Sequence, residues 1–122
     1  MAKLSRTSPG YRGVIFATGT ADGKFFSVVA TSSPGDLLHT NDRGARLESI
    51  RLDAWNISAA NVDLTVQWIG TASTDALTYT IPARGGPVSV IPDWKLPRGS
   101  SIRVYAGTTA VISAYLEATE VD

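Results

Sequence analysis

Asn61-Val62-Asp63-Leu64-Thr65-Val66-Gln67-Trp68-Ile69 alternates without a break. Val62, Leu64, Val66 and Trp68 share one phase, and Asp63, Thr65, Gln67 and Ile69 share the other. A period of two belongs to an antiparallel strand with one face in a core and one toward water. The same pattern recurs on either side. In Ala76 to Ile81, Leu77, Tyr79 and Ile81 point inward, and in Arg46 to Trp55, Ile50, Leu52 and Ala54 alternate with Arg51, Asp53 and Trp55.

Working back toward the start, Phe25 to Thr31 and Arg12 to Thr18 read as a strand pair. They are joined by Ala21-Asp22-Gly23-Lys24, because Asp-Gly suits the positive φ of a tight hairpin turn. Ser32 to Gly44 reads as a long polar loop with a Pro34-Gly35 turn. Working forward, Pro82 to Pro87 is a turn, and Val88 to Ile91 is a short strand bounded by Pro92. Arg98-Gly99 turns the chain again before Ser101 to Ala106 and Thr109 to Ala118. Pro82, Pro87, Pro92 and Pro97 lack the amide that a central strand needs, so this stretch belongs at a sheet edge or crosses between sheets.

No segment reads as a long amphipathic helix. About eight or nine short strands separated by Gly, Pro and Asp turns make an all-β, two-sheet antiparallel sandwich. A jelly-roll-like order is the first expectation and an immunoglobulin-like sandwich the second. Residues 1 to 11 show no periodicity and form a non-regular N-terminal arm, and residues 12 to 122 form a single β-sandwich domain.

Composition narrows the function. Eleven basic and eleven acidic side chains cancel, which disfavours nucleic acid as a partner. There is no cysteine, so disulfides, zinc–thiolate sites and thiol catalysis are excluded. No apolar run is long enough for a membrane-spanning helix, and the basic start, Met1 to Arg6, is followed by no apolar stretch of the signal-peptide kind. Synthesis in a cytoplasm is the expectation.

Chemistry-bearing patterns are scarce. His39, the single histidine, lies near Asp36, Asn41 and Asp42. A cation site or a general base was weighed there against a solvated loop of Asx turns, and the loop is the expectation. No Gly-x-Ser-x-Gly elbow and no phosphate-binding glycine run is present. Asn56-Ile57-Ser58 fits the glycosylation pattern by chance. No catalytic residue, metal ligand or cofactor is expected.

The aromatics and the last strand are more informative. Trp68 and Tyr79 fall on inward phases, whereas Trp55 and Tyr105 fall outward. Outward aromatics suit a protein interface or a sugar platform, and the interface is favoured. In the last strand Ala110, Ile112, Ala114 and Leu116 alternate with Val111, Ser113, Tyr115 and Glu117, so both phases carry apolar residues. Such a strand is covered on both faces, by the arm or by another subunit. The start of the chain is basic (Lys3, Arg6, Arg12) and its end acidic (Glu117, Glu120, Asp122), which would set register between subunits more than strength.

Four segments carry a resemblance: Gly44-Ala45-Arg46-Leu47-Glu48-Ser49-Ile50, Asn61 to Val66, Val90-Ile91-Pro92 with Leu96 to Val104, and Ala110 to Glu117. Together they resemble small β-sandwich virion structural proteins of tailed bacteriophages, the capsid decoration or cement proteins and neck proteins. The resemblance runs from Gly44 to Val121 and leaves out residues 1 to 43. It implies a non-enzymatic protein that decorates or cements the capsid, with a neck, collar or tail component as the alternative. A carbohydrate-binding module or lectin is the alternative of a different class, with Trp55 beside Asp53 and Asn56 as its best site. The expected partners are other copies of the chain, with a trimer favoured, and the major capsid protein or another virion protein. The expected location is the virion. Lys3, Arg6, Tyr11, Trp55, Tyr105, Val111 and Tyr115 are the expected interface residues.

Overall fold

The computed structural model describes the backbone of residues 14–16 and residues 25–42 and 44–121 in full. These form nine strands and one short 3-10 turn. The strands are β1 (Val14–Phe16), β2 (Phe26–Ser27), β3 (Asp36–Thr40), β4 (Leu47–Asn56), β5 (Val62–Trp68), β6 (Ala76–Ile81), β7 (Val88–Pro97), β8 (Ser101–Ala106) and β9 (Ile112–Val121). One sheet runs β1-β9-β4-β7, with β2 also on β9, and the other runs β3-β8-β5-β6. All pairings between strands are antiparallel.

Four of the pairs are nested: β5 with β6, β4 with β7 outside it, then β3 with β8, then β2 with β9. The chain is therefore one long hairpin. It is rolled so that β9 also meets β4 and β8 also meets β5. That is jelly-roll topology, two sheets closed face to face.

The core lies between the sheets and follows the alternation of the sequence. Ile50, Leu52 and Ala54 of β4 and Leu64 and Val66 of β5 are fully buried, as are Ile102 and Val104 of β8 and Ile112 of β9. Trp68 and Trp94 pack on the core and meet edge to face at 5.2 Å, joining β5 of one sheet to β7 of the other. Apolar burial at roughly 25 cal/mol per Å² is the main stabilising term.

Three expectations need correction. The loop expected over Ser32 to Gly44 contains β3, with Leu38 and His39 buried. Phe25 to Thr31 is regular only at Phe26–Ser27, although Val28 still bonds to Ile112 and Ala110 beyond it. The short strand bounded by Pro92 instead continues to Pro97. It can do so because β7 is an edge strand, as expected, and because Pro92 sits in a β-bulge. The hairpin turn expected at Ala21 to Lys24 lies outside the described residues, as does the arm.

Polar side chains pin β3 in place. Gln67 of β5 accepts from the Gly35 amide at 2.8 Å and donates to Ser33 Oγ at 2.8 Å. A Cβ at Gly35 would collide with the backbone carbonyl of Val104. Only glycine lets the chain enter β3 this close to β8.

Candidate functional site

β4 and β9 run side by side through the middle of their sheet, and their register decides what the outer face presents. Ser49 lies opposite Thr119, Arg51 opposite Glu117, Asp53 opposite Tyr115 and Trp55 opposite Ser113. The alternate residues Ile50, Leu52, Leu116 and Ala118 are in the core, so these four rungs face outward.

The two central rungs are joined by hydrogen bonds. Arg51 Nη2 donates to Asp53 Oδ2 at 2.6 Å, and Nη1 donates to Glu117 Oε1 at 3.1 Å. Tyr115 donates its hydroxyl to Glu117 Oε2 at 2.8 Å. The Asp53 hydrogen bond and charge raise the Arg51 pKa above its usual value. The Tyr115 phenol is also raised, first by its hydrogen bond to Glu117, then by burial and the Glu117 charge. Phe25 stands over the neighbouring rungs. Its ring meets Trp55 edge to face at 4.6 Å and Tyr115 at 6.3 Å. Ser113, small and opposite Trp55, leaves room for that contact.

Beside the charged rungs the sheet bends. Ile50 pairs with Trp94 and Leu52 with Ile91, so Pro92 and Asp93 together oppose Arg51 alone. This is a β-bulge, a device that re-aims side chains and opens a sheet locally. A groove of about 300 Å³ lies over it, lined by Ser49, Arg51, Pro92, Asp93, Glu117 and Thr119 together with Ile50.

A second polar group is enclosed by the fold. His39 of β3 and Glu48 of β4 are 1% and 0% exposed, and His39 Nε2 lies 2.7 Å from Glu48 Oε1. The pair ties one sheet to the other. Asn41 is buried nearby, with its amide donating to the carbonyls of Leu96 and Ala45. Among the described residues none donates to Asn41 Oδ1 or Glu48 Oε2. His39 is thus an interior residue, and the solvated loop expected around it is corrected. Asp36, Asn41 and Asp42 near it in sequence are polar, but its partner is on another sheet.

A third feature is a set of uncharged connecting segments at one end of the sandwich, bordered by Asp36, whose carboxylate accepts from the Val29 and Ala30 amides, and by Arg84, whose amide donates to Asn56 O. The segments 28–35, 57–61 and 107–111 contain no Asp, Glu, Lys or Arg. They lie together: Ile57 N donates to Val111 O, Ala110 N to Val28 O, and Thr109 Oγ1 to Val29 O. Val29 and Ile57 there are 60% and 61% exposed.

The structure brings Trp55 and Tyr115 together, through Phe25. Val111 is half-buried among the uncharged segments at that end. Tyr105 lies on the outer face of the other sheet, opposite Thr65, and so does not join them. Lys3, Arg6 and Tyr11 fall outside the described residues. Asn56, expected beside Trp55 in a sugar site, instead turns inward. Its amide donates to Ala60 O and Ile81 O, and its Oδ1 accepts from the Ser58 amide and hydroxyl. That hydrogen bonding also explains the Asn-Ile-Ser sequence without a glycan. Phe25, Arg51 and Glu117 were missed by sequence reading. Arg51 and Glu117 sit on the outward phases already identified, but only the register places them face to face. Among the described residues no group of three His, Asp or Glu could hold a metal ion. Compared with protein-family models, with curated proteins and with solved structures, the chain matches none.

Proposed function

We propose that this protein is a non-enzymatic structural subunit of a bacteriophage particle, a decoration or cement protein that associates with capsid subunits and with copies of itself. The observation that carries association is the group of uncharged segments, 28–35, 57–61 and 107–111, that meet at one end of the sandwich. Depletion of charge distinguishes the buried centre of an interface better than apolar content does. Here it coincides with the exposed side chains of Val29 and Ile57. The virion setting rests on the resemblance of residues 44 to 121, most of which lies in β4, β5, β7, β8 and β9. In this reading the strands present their connecting loops to a neighbour, and burying aliphatic side chains drives attachment against the entropy of assembly.

The test is to place a charge at that end. Ile57→Asp and Val29→Asp are expected to leave the melting transition near that of the parent, because both side chains already face water. They are expected to lower co-sedimentation with capsid particles, or self-association measured by light scattering, at least tenfold. Variants that bind particles and self-associate as the parent does would refute the proposal.

A further inference from the structure

The groove over the β7 bulge and the aromatic residues beside it lie on the sheet face, apart from the uncharged segments at the end of the sandwich. They carry a separate inference that does not depend on the virion reading. We propose that the outer face of the β1-β9-β4-β7 sheet binds a short neutral oligosaccharide. The groove would hold one sugar residue, and Trp55 with Phe25 would hold another, two or so residues further along the same chain.

The chemistry of the lining selects the ligand class. Ser49 and Thr119 offer hydroxyls at one end of the groove, Arg51 a guanidinium at its centre, and Asp93 and Glu117 carboxylates. Sugar hydroxyls both donate and accept, so they can use all three types at once. Glu117 is already oriented by Arg51 and Tyr115, and Arg51 by Asp53 and Glu117. A ligand therefore meets groups whose rotamers are fixed before it arrives, which lowers the entropic cost of binding. The Pro92 ring gives the groove an apolar wall for the C–H face of a pyranose.

Other ligands fit less well. An anion would meet the carboxylates of Asp93 and Glu117. A cation would compete with Arg51 for Glu117, and Lys95 already donates to Asp93 at 2.8 Å. An extended peptide adding to the β7 edge would find no amide at Pro92 or Pro97, so strand addition is blocked there.

Spacing supports two subsites separated along one short chain. From the Arg51 rung to the Trp55 rung is four residues along β4, about 13 Å at strand rise, the span of a short oligosaccharide. Phe25 is 66% exposed although it touches two other rings, so an aromatic surface remains open there. Such a surface packs against the apolar face of a sugar.

The full chain is applied to a printed array of neutral and sialylated oligosaccharides, and each hit is titrated by ligand-observed NMR. Binding to neutral glycans is expected, reduced at least tenfold by Trp55→Ala and by the isosteric Glu117→Gln, and unchanged by Ile57→Asp. Glu117→Gln keeps the shape of the site, so it still reports if Trp55→Ala fails to fold. No neutral glycan bound, binding confined to sialylated glycans, or binding that survives both substitutions would each overturn the inference. Because Ile57→Asp tests particle attachment, the two proposals fail separately.

Discussion

β4 carries ionisable side chains on both of its faces, and the two faces obey different rules. Inward, Glu48 meets His39 at 2.7 Å with both side chains sealed from water. Outward, Arg51 meets Asp53 at 2.6 Å and Glu117 at 3.1 Å, with its own side chain half in solvent. The distances are similar, but the energetics are not. Water screens the outer network and competes for its hydrogen bonds, so a pair there is worth about 0–1 kcal/mol. Inside, the pair had to shed its water. Its attraction roughly offsets that desolvation, and its removal by halves leaves a polar group stranded.

Breaking the inner pair one partner at a time is the severest test. His39→Ala or Glu48→Ala should each cost about 3–5 kcal/mol in urea unfolding, because the remaining partner stays buried without its mate. Replacing both, as His39→Leu with Glu48→Leu, should recover most of that loss. A double variant as unstable as the sum of the singles would show that the two residues act independently and that neither single loss came from a stranded partner. Next in size is Asn56→Ala, which strands the carbonyls of Ile81 and Ala60 and should cost about 1–3 kcal/mol by the same measurement.

The outer network should respond far less. Arg51→Ala should change stability by no more than about 1 kcal/mol. A larger loss would mean that the outer cluster behaves like the inner one. The smallest effect concerns Tyr115, whose pKa is raised in the folded state. The stability it contributes is complete below the ordinary tyrosine value of about 10 and is lost as pH rises through the higher folded value. The phenolate difference spectrum of the parent, compared with that of Tyr115→Phe, should therefore show one tyrosine ionising late. Glu117→Gln should move that tyrosine back toward its ordinary range.

The same contrast explains what could be read from the sequence. β4, β5, β6 and β8 were legible because each alternates apolar and polar residues over at least six positions, and burial followed the phase in β4 and β8; in β5 Thr65 and Gln67, expected toward water, are buried, and in β6 Leu77, expected inward, is exposed at the sheet edge. β3 was not legible. Asp36, His39 and Thr40 read as loop chemistry, yet each has a partner distant in sequence or structure: the amides of Val29 and Ala30, Glu48, and Ser101. A polar residue satisfied by a distant partner looks no different from one satisfied by water. β7 was cut short at Pro92 because its edge position was expected but its bulge was not. At the candidate site the outward phase of Trp55 was visible. Its meeting with Phe25 required β2 and β4 to flank β9, a topological fact that no local window contains.

The nested pairing has a consequence for how the chain is made. β9 fills the place between β4 and the β1 and β2 strands, and it is the last of the nine to be synthesised. Until it leaves the ribosome, β4 has an open edge on that side and the outer aromatic face does not exist. The inner hairpins β5·β6 and β4·β7 close over short stretches, whereas β2·β9 must close a loop spanning most of the domain, an entropically slow step. The first sheet therefore cannot close before β9 has been made. A nascent chain stalled before β9 should expose the open edge of β4 to any strand that can pair with it.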